Sequence, residues 1–204
     1  MKIIYKIKYK IRTLLKKEVE PPPYELKRAI IDAYRASYKL ETLVETGTFF
    51  GDTVEYFKNK FKKVYSIELA DDLAEKAKKR FENDSRITII HGDSGTVLKQ
   101  MLKELKEPAL FWLDGHYSSE FFVGEEFIKT ARTDKDTPVV EELNAILGSS
   151  PRHVILIDDA RGFNGLGDYP AISSMRRKVR KAKGADYSFK VENDIIHIVP
   201  RAKP

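Results

Sequence analysis

Short apolar runs alternate with segments of helical periodicity from residue 42 onward, and no other feature of the chain constrains its fold as strongly. The apolar runs predict strands at 42–46, 63–68, 86–91, 109–114 and 153–158, with helices near 51–61, 71–82, 94–106, 138–147 and 170–182. Strands that alternate with helices form βαβ units, so we expect a parallel sheet covered on both faces. A preceding amphipathic helix over 24–39 is predicted from Leu26, Ala29, Ile30, Ala33, Tyr34 and Tyr38.

The C-terminal part of the chain follows a different pattern. Two strand-like runs, 187–191 and 195–199, are separated only by Glu192, Asn193 and Asp194, which is typical of a β-hairpin. The sequence therefore predicts an α/β fold: a Rossmann-like, doubly wound seven-stranded sheet, mostly parallel, with an antiparallel C-terminal hairpin.

The segment from Leu43 to Thr53 indicates a strand, a tight turn and a helix. The apolar run ends at Glu45, and two glycines, Gly47 and Gly51, follow it four residues apart. Glycine permits positive φ and close approach of a ligand to the main chain, and the next helix offers free N–H groups. Neither the dinucleotide fingerprint nor the P-loop pattern is present. The two glycines could also serve only to end the strand and begin the helix.

The pattern Glu-x-Gly-x-x-x-Gly resembles motif I of class I S-adenosylmethionine (SAM)-dependent methyltransferases, with Phe49 in place of the usual middle glycine. The resemblance implies that Glu45 and the turn around Gly47 hold the amino-acid end of the cofactor. The residues assigned to cofactor binding here are Glu45, Thr46, Gly47, Thr48, Gly51 and Thr53. The mostly parallel sheet with a final antiparallel hairpin is similar to the fold of the same superfamily.

Acidic residues also follow the second and third predicted strands. Glu68 ends the second strand, where an acid can accept hydrogen bonds from a ribose diol, and it matches motif II of the methyltransferases. Asp93 and Ser94 follow the third strand, and by resemblance the acid faces the adenine amino group. Asp93 is equally suited to cap the next helix, whereas Asp71 and Asp72 are expected only to complement a helix dipole.

Three aspartates follow the fourth and fifth predicted strands. Asp114 ends the fourth strand, and Asp158 and Asp159 end the fifth, so neighbouring strands would bring three carboxylates together. Unpaired buried acids are costly unless a positive charge compensates them, and Mg²⁺ is the simplest candidate. Arg161 could offset one of the acids instead.

This trio resembles the metal-dependent O-methyltransferases, in particular the macrocin O-methyltransferase type that acts on sugar hydroxyls. The resemblance implies that Asp114, Asp158 and Asp159 are metal ligands, with Asp114 also contributing to catalysis and to cofactor binding. His116 stands where that type has a second acid proposed as general base, and an imidazole can take the same proton. The resemblance covers residues 42–199.

Residues 115–137 form a long polar insertion, which we expect to be a substrate lid that contacts the acceptor through Phe121, Phe122 and Arg132. A second mobile wall is expected at 162–167. Further residues are expected to be structural: His91, His153 and His197 at or in strands, and Glu141 and Glu142 as complements to a helix dipole.

The net charge of +6 comes from the N-terminus. Residues 1–17 carry seven basic residues and no acid, which leaves 30 basic and 31 acidic residues elsewhere. A basic arm with a proline linker over 1–23 and a methyltransferase domain over 24–204 are therefore expected. The arm could form an amphipathic helix that lies on an anionic membrane surface, contacts nucleic acid, or packs as a solvated helix on the domain or a partner subunit. An edge strand fits its alternating stretch equally well. Pro22-Pro23-Tyr24 is interpreted as linker, although adenine methyltransferases carry a similar motif.

The sequence thus predicts a SAM-dependent methyltransferase, assisted by Mg²⁺, that acts on a hydroxyl of a small molecule or saccharide. RNA or protein methylation is an alternative that the nearly neutral domain argues against, as it does against nucleic acid as a partner. A non-catalytic nucleotide-binding or membrane-surface module is a second alternative. The absence of cysteine excludes a disulfide scaffold and a cysteine nucleophile but is neutral about compartment. Because no signal peptide and no bilayer-length apolar run are recognised, the interpretation is a cytoplasmic protein, peripheral to the membrane if the arm binds there. A homo-oligomer is compatible with the sequence.

Overall fold

The computed structural model describes residues 21–116, 120–123, 126–129 and 134–201. Its helices are α1 (Tyr24–Tyr38), α2 (Asp52–Phe57), α3 (Asp71–Phe81), α4 (Ser94–Glu104), α5 (Val139–Gly148) and α6 (Ile172–Lys183). Its strands are β1 (Thr42–Thr46), β2 (Lys63–Glu68), β3 (Ile87–His91), β4 (Leu110–Leu113), β5 (Glu120–Val123), β6 (Glu126–Lys129), β7 (Val154–Ile157), β8 (Tyr187–Glu192) and β9 (Ile195–Pro200). Two 3-10 turns lie at Ala160–Gly162 and Gly184–Asp186.

Seven strands form one sheet in the order β3-β2-β1-β4-β7-β9-β8. The first five of these are mutually parallel, and β9 runs antiparallel to both β7 and β8. This confirms the predicted Rossmann-like sheet with its antiparallel C-terminal hairpin. Because β1 lies between β2 and β4, the strand order reverses there, and a crevice for ligands opens at the carboxyl ends of the strands.

The strands bury alternate side chains on opposite faces of the sheet. Val44, Phe111 and Ile155 pack on one face with α4, α5 and α6, whereas Leu43 and Leu110 pack on the other with α1, α2 and α3. The parallel strands β1, β4 and β7 are buried along their whole length, as expected for strands covered on both faces. This double cover fixes the carboxyl ends of those strands rigidly at one edge of the sheet.

Helix α1 begins directly after Pro23, whose fixed φ suits the start of a helix. Its expected apolar face is only partly correct, because Leu26 and Tyr38 are exposed. The positions that α1 buries are Ile31 and, four residues before it, Lys27. Positions four apart lie on the same face of a helix, so Lys27 is carried inward with the apolar anchor.

One predicted helix needs correction. The helix predicted over 51–61 ends at Phe57, because the chain then turns through bonds such as that from Lys60 N–H to the Phe57 carbonyl, although Phe61 is still buried. Within the insertion at 115–137, β5 and β6 form an antiparallel hairpin in which Phe122 lies opposite Phe127, and the expected substrate lid stays a prediction. Arg132 and the side chains of Phe121 and Phe122 lie outside the described part.

Among the helices that the structure describes, none combines the length and apolar character needed to cross a membrane. The basic arm lies outside the described residues, apart from Pro21, Pro22 and Pro23 at its end. Its predicted helix or edge strand, and the division of the chain at residue 23, stay predictions.

Candidate functional site

The loop between β1 and α2 has a strained backbone that brings it against β4. Gly47, Phe49 and Gly51 all have positive φ, at 84°, 50° and 80°. A Cβ on Gly47 would lie 2.6 Å from the carbonyl oxygen of Asp114, closer than real Cβ atoms approach backbone. Only glycine fits at this position, because the loop passes directly against the backbone of Asp114 and Gly115.

Glu45 is buried at the end of β1, with 2% of its surface exposed. Its Oε2 accepts a 2.5 Å hydrogen bond from the Ser66 hydroxyl, and that hydroxyl oxygen lies 2.6 Å from the Thr48 hydroxyl. Burial raises the pKa of Glu45 to about 8, and the hydrogen bonds from Ser66 and Thr53 offset only part of this effect. Glu45 is therefore mostly a neutral acid near pH 7. Thr46 is fully buried beside it.

Glu68, at the end of β2, joins that strand to the β1–α2 loop. Its Oε2 accepts a 2.8 Å hydrogen bond from the Phe49 N–H, and its Oε1 accepts one of 2.9 Å from the Ala70 N–H. The carboxylate thereby holds Phe49 in its positive-φ conformation. Glu68 lies where the resemblance requires a ribose-binding acid.

Asp93 caps α4, as one of its two interpretations predicted. One carboxylate oxygen, Oδ2, accepts hydrogen bonds from the Thr96 N–H at 2.9 Å and the Thr96 hydroxyl at 2.8 Å. The Ser94 hydroxyl donates a 2.6 Å bond to Oε1 of Glu142. An adenine contact by Asp93 or Ser94 stays a prediction.

Glu142 lies in the first turn of α5, as expected of a complement to the helix dipole, but it is buried. It is 1% exposed, and burial raises its pKa to about 7, so much of its charge is absent near neutral pH. Glu141 is half-buried and pairs with Lys135. The sequence places both acids in the first turn of a helix, and the structure distinguishes Glu142 by its burial and by its contact with Ser94.

Asp158 and Asp159, directly after β7, form ion pairs with basic side chains of the same chain. Lys27 Nζ lies 2.5 Å from Asp158 Oδ2 and 3.8 Å from Asp159 Oδ1. Arg161 Nη1 lies 2.9 Å from Asp159 Oδ1, as the alternative of an arginine partner proposed, and it also pairs with Asp194. Lys27 was not anticipated from the sequence. The signal for it was a lysine on the same face of α1 as the buried Ile31.

His116 links Asp159 to the end of β4. Its Nε2 lies 2.9 Å from Asp159 Oδ2, and its Nδ1 lies 3.6 Å from Asp114 Oδ1. Burial alone would lower the pKa of His116, but the hydrogen bond to Asp159 and the charge of Asp114 outweigh it, so the pKa is raised. Burial and the charge of Asp158 raise the pKa of Asp114 to about 7. Asp114 therefore exchanges a proton near neutral pH, whereas His116 holds its proton more firmly than a free imidazole does.

The aspartate trio does not form a ready metal site. Within the residues that the structure describes, no group of three or more His, Cys, Asp or Glu side chains is arranged to hold a metal ion. The strands do bring Asp114, Asp158 and Asp159 to one edge, since β4 and β7 pair in register. The three carboxylates, however, already pair with side chains of the protein, namely Lys27, Arg161 and His116.

The loop after β7 adds an aromatic wall beside His116. The Tyr169 ring lies 6.4 Å from the His116 ring and packs edge-on against Phe163, 5.6 Å away. Burial raises the pKa of Tyr169 to about 12, so its hydroxyl stays protonated at any physiological pH. Part of the expected second wall, 162–167, is thus held by the buried Phe163.

The three histidines expected to be structural have structural contacts. His153 Nδ1 accepts a 3.0 Å hydrogen bond from the Ala109 N–H, His197 Nδ1 lies 3.0 Å from the Tyr34 hydroxyl, and His91 Nε2 lies 3.2 Å from the Leu69 carbonyl. Burial lowers the pKa of His153 to about 4, which keeps it neutral.

No protein-family model matches the chain, and neither does any curated protein sequence. Solved structures do share its fold. An O-methyltransferase from Bacillus cereus in complex with S-adenosylhomocysteine (SAH) is 16% identical over 95% of this chain and 88% of its own, with a TM-score of 0.55. An SAH-bound methyltransferase from Podospora anserina is 15% identical over 87% and 79%, with a TM-score of 0.54. A SAM-bound O-methyltransferase of tomaymycin synthesis from Streptomyces achromogenes is 14% identical over 86% and 80%, with a TM-score of 0.51. At these identities the likeness establishes the Rossmann-like methyltransferase fold.

Proposed function

We propose that residues 24–204 form a SAM-dependent O-methyltransferase that moves a methyl group to a hydroxyl of a small molecule or saccharide. The observation that carries this proposal is the cradle at the carboxyl edge of the sheet, where Gly47 leaves no room for a Cβ and Glu68 holds the Phe49 N–H. Three similar structures with this fold hold SAH or SAM, which supports the same cofactor here.

The cradle suits SAM in its hydrogen-bonding capacity. Each oxygen of Glu68 accepts one backbone N–H and keeps a second lone pair, so the ribose hydroxyls can donate to the same carboxylate. Glu45 and the loop of Thr46, Gly47, Thr48, Gly51 and Thr53 would face the amino-acid end, and Asp93 with Ser94 the adenine. When bound, SAM supplies a methyl group already activated by its sulfonium.

His116 is the group of the chain that we assign as general base. Asp159 holds its Nε2 at 2.9 Å and so fixes the ring, while Nδ1 is directed toward Asp114 at 3.6 Å. A hydroxyl placed between Nδ1 and Asp114 could give its proton to the imidazole as it attacks the methyl group. Asp114, with its pKa raised to about 7, would position that hydroxyl by a hydrogen bond.

The acceptor side of the site favours a ring-bearing molecule. Tyr169 presents an aromatic ring beside His116, and such rings pack on the flat faces of sugars and aromatic compounds. The Tyr169 hydroxyl, protonated throughout the physiological range, adds a hydrogen-bond donor at the same place. These contacts support a small hydroxylated acceptor, in line with the interpretation of the sequence.

Assistance by Mg²⁺ has less support. The residues as arranged do not fit a divalent ion, because the Lys27 ammonium already lies 2.5 Å from the oxygen of Asp158 that would be a ligand. Binding of the basic arm to an anionic membrane surface, cytoplasmic location and self-association stay predictions, since they depend on residues or partners outside the described structure.

Calorimetric titration with SAH tests the cofactor site. We expect the parent protein to bind, and Glu68→Gln to weaken binding roughly 10- to 100-fold, because a charged acceptor is worth about 1.5–3 kcal/mol. Glu75→Gln is the matched control, since Glu75 is an exposed acid on α3 whose described partner is Lys78. No binding of SAH by the parent would refute the proposed function and favour a non-catalytic module.

Methyl transfer itself is then measured with radiolabelled SAM and a panel of hydroxylated sugars, phenols and macrolides. RNA and protein substrates in the same panel test the alternative acceptors. Transfer to RNA or protein, with none to any hydroxyl compound, would contradict the assigned acceptor class.

A further inference from the structure

We infer that Lys27 takes the place of a divalent metal ion at the aspartate trio, so that the site carries its own cation; this rests on the proposed function of the same site. The usual way to hold several carboxylates together beside a reacting hydroxyl is a hard dication. In this protein the positive charge is the ammonium group of Lys27 on α1, which is 131 residues away in sequence from Asp158.

The geometry places the ammonium against two of the three aspartates. Lys27 Nζ lies 2.5 Å from Asp158 Oδ2 and 3.8 Å from Asp159 Oδ1, and Lys27 is only 8% exposed. Asp158 is 2% exposed, so neither partner is a solvated surface charge. An ion pair desolvated to this extent persists only when its geometry is good and its hydrogen bonds are made.

Asp158 and Asp159, at the end of β7, have further hydrogen-bond and ion-pair partners besides Lys27. Asp158 Oδ1 accepts the Asp159 N–H at 2.8 Å, and Asp159 contacts both Arg161 and His116. A Mg²⁺ ion would have to approach an oxygen to about 2.1 Å at a point where an ammonium already stands. The two cations would repel each other, so the lysine and the metal exclude one another.

Lys27 therefore acts as a positioning residue. It fixes Asp158 and helps to hold Asp159 ionised, and Asp159 in turn orients His116 through the 2.9 Å contact. Activation of the acceptor would then depend on the base and not on chelation by a metal. One consequence is that the acceptor needs a single hydroxyl, without the adjacent second oxygen that a chelated metal requires.

The decisive experiment measures Mn²⁺ binding by electron paramagnetic resonance, with the metal alone added to the full-length protein. Lys27→Met removes the charge at similar length, and we expect it to raise Mn²⁺ affinity at least about tenfold, because an ammonium no longer opposes the dication. Lys27→Arg keeps the charge and should bind Mn²⁺ as weakly as the parent. Lys60→Met is the matched control, since Lys60 pairs with Asp32 away from the site.

Equal Mn²⁺ affinity of the parent and a folded Lys27→Met protein, or a gain in Lys27→Arg as well, would overturn the inference. If Lys27→Met does not fold, methyl transfer by the parent protein still decides. Methyl transfer that is lost in EDTA and restored by Mg²⁺ refutes the inference. Methyl transfer that neither EDTA nor Mg²⁺ changes supports it. The Mn²⁺ measurements need neither cofactor nor acceptor. A parent that binds SAH but requires metal refutes only the role of Lys27, whereas absent SAH binding refutes the proposed function.

Discussion

Replacing Glu45 by glutamine tests whether this buried acid is neutral in the folded protein. Burial raises its pKa from 4.5 to about 8, so between these values the folded state holds a proton that the unfolded state has released. Stability contributed by this proton is complete below 4.5 and is lost as the pH rises toward 8. The loss is roughly 1.4 kcal/mol per pH unit, and therefore more than about 2 kcal/mol between about pH 6 and about pH 8.

Glutamine has the same shape, can still accept the hydrogen bond from Ser66, and does not titrate. We expect the stability of Glu45→Gln relative to the parent to increase steadily over this pH range. The assay is urea unfolding followed by circular dichroism at several pH values, with the free energy of unfolding extrapolated to water for both proteins. Subtracting the parent curve removes the contributions of Asp114 and Glu142, whose raised pKa values near 7 are shared by both proteins.

Asp84→Asn is the control for this experiment. Hydrogen bonds from Arg86 lower the pKa of Asp84 to about 2, so Asp84 stays ionised across this pH range. The difference in free energy of unfolding between Asp84→Asn and the parent should therefore not vary with pH. If the difference in free energy of unfolding between Glu45→Gln and the parent stays constant from about pH 6 to about pH 8, Glu45 is ionised throughout and the reasoning is refuted.

Two further substitutions test the loop and the base. Gly47→Ala should lower the free energy of unfolding by more than about 2 kcal/mol and abolish SAH binding, because alanine resists positive φ and its Cβ would clash with the Asp114 carbonyl. Gly148→Ala is the control: a Cβ there has open space around it, so the melting temperature and the SAH affinity should stay unchanged. His116→Gln should slow methyl transfer about 10²- to 10⁴-fold while SAH affinity stays within about twofold of the parent, and an unchanged single-turnover rate would remove His116 from the role of base.

The sheet could be predicted from the sequence because its signals are local. The bounds of β1 and β2 agree with the predicted strands 42–46 and 63–68, and the N-cap role of Asp93 follows from its place just before a helical pattern. Local signals fail where the chain turns early, as after Phe57, where the apolar spacing continues through Phe61 but the helical hydrogen bonds do not.

The site was only partly predictable, because its electrostatics depend on contacts between distant segments. Asp114, Asp158 and Asp159 could be placed at neighbouring strand ends from their positions after apolar runs. That Lys27 reaches Asp158 could not be read from spacing, since it requires α1 to pack near the end of β7. Glu142 was misjudged for the same reason, as its burial arises from the packing of α5 on α4.

The position of β9 in the sheet has a consequence for synthesis on the ribosome. β9 lies between β7 and β8, although it is translated after both of them. Until it emerges, the outer edge of the buried strand β7 stays unpaired, and β8 lacks the strand through which it joins the sheet. An open apolar edge is a template for pairing with another chain. The nascent protein is therefore most exposed to misassembly just before its last strand arrives, at a stage when the candidate site on β1, β2 and β4 has already been synthesised.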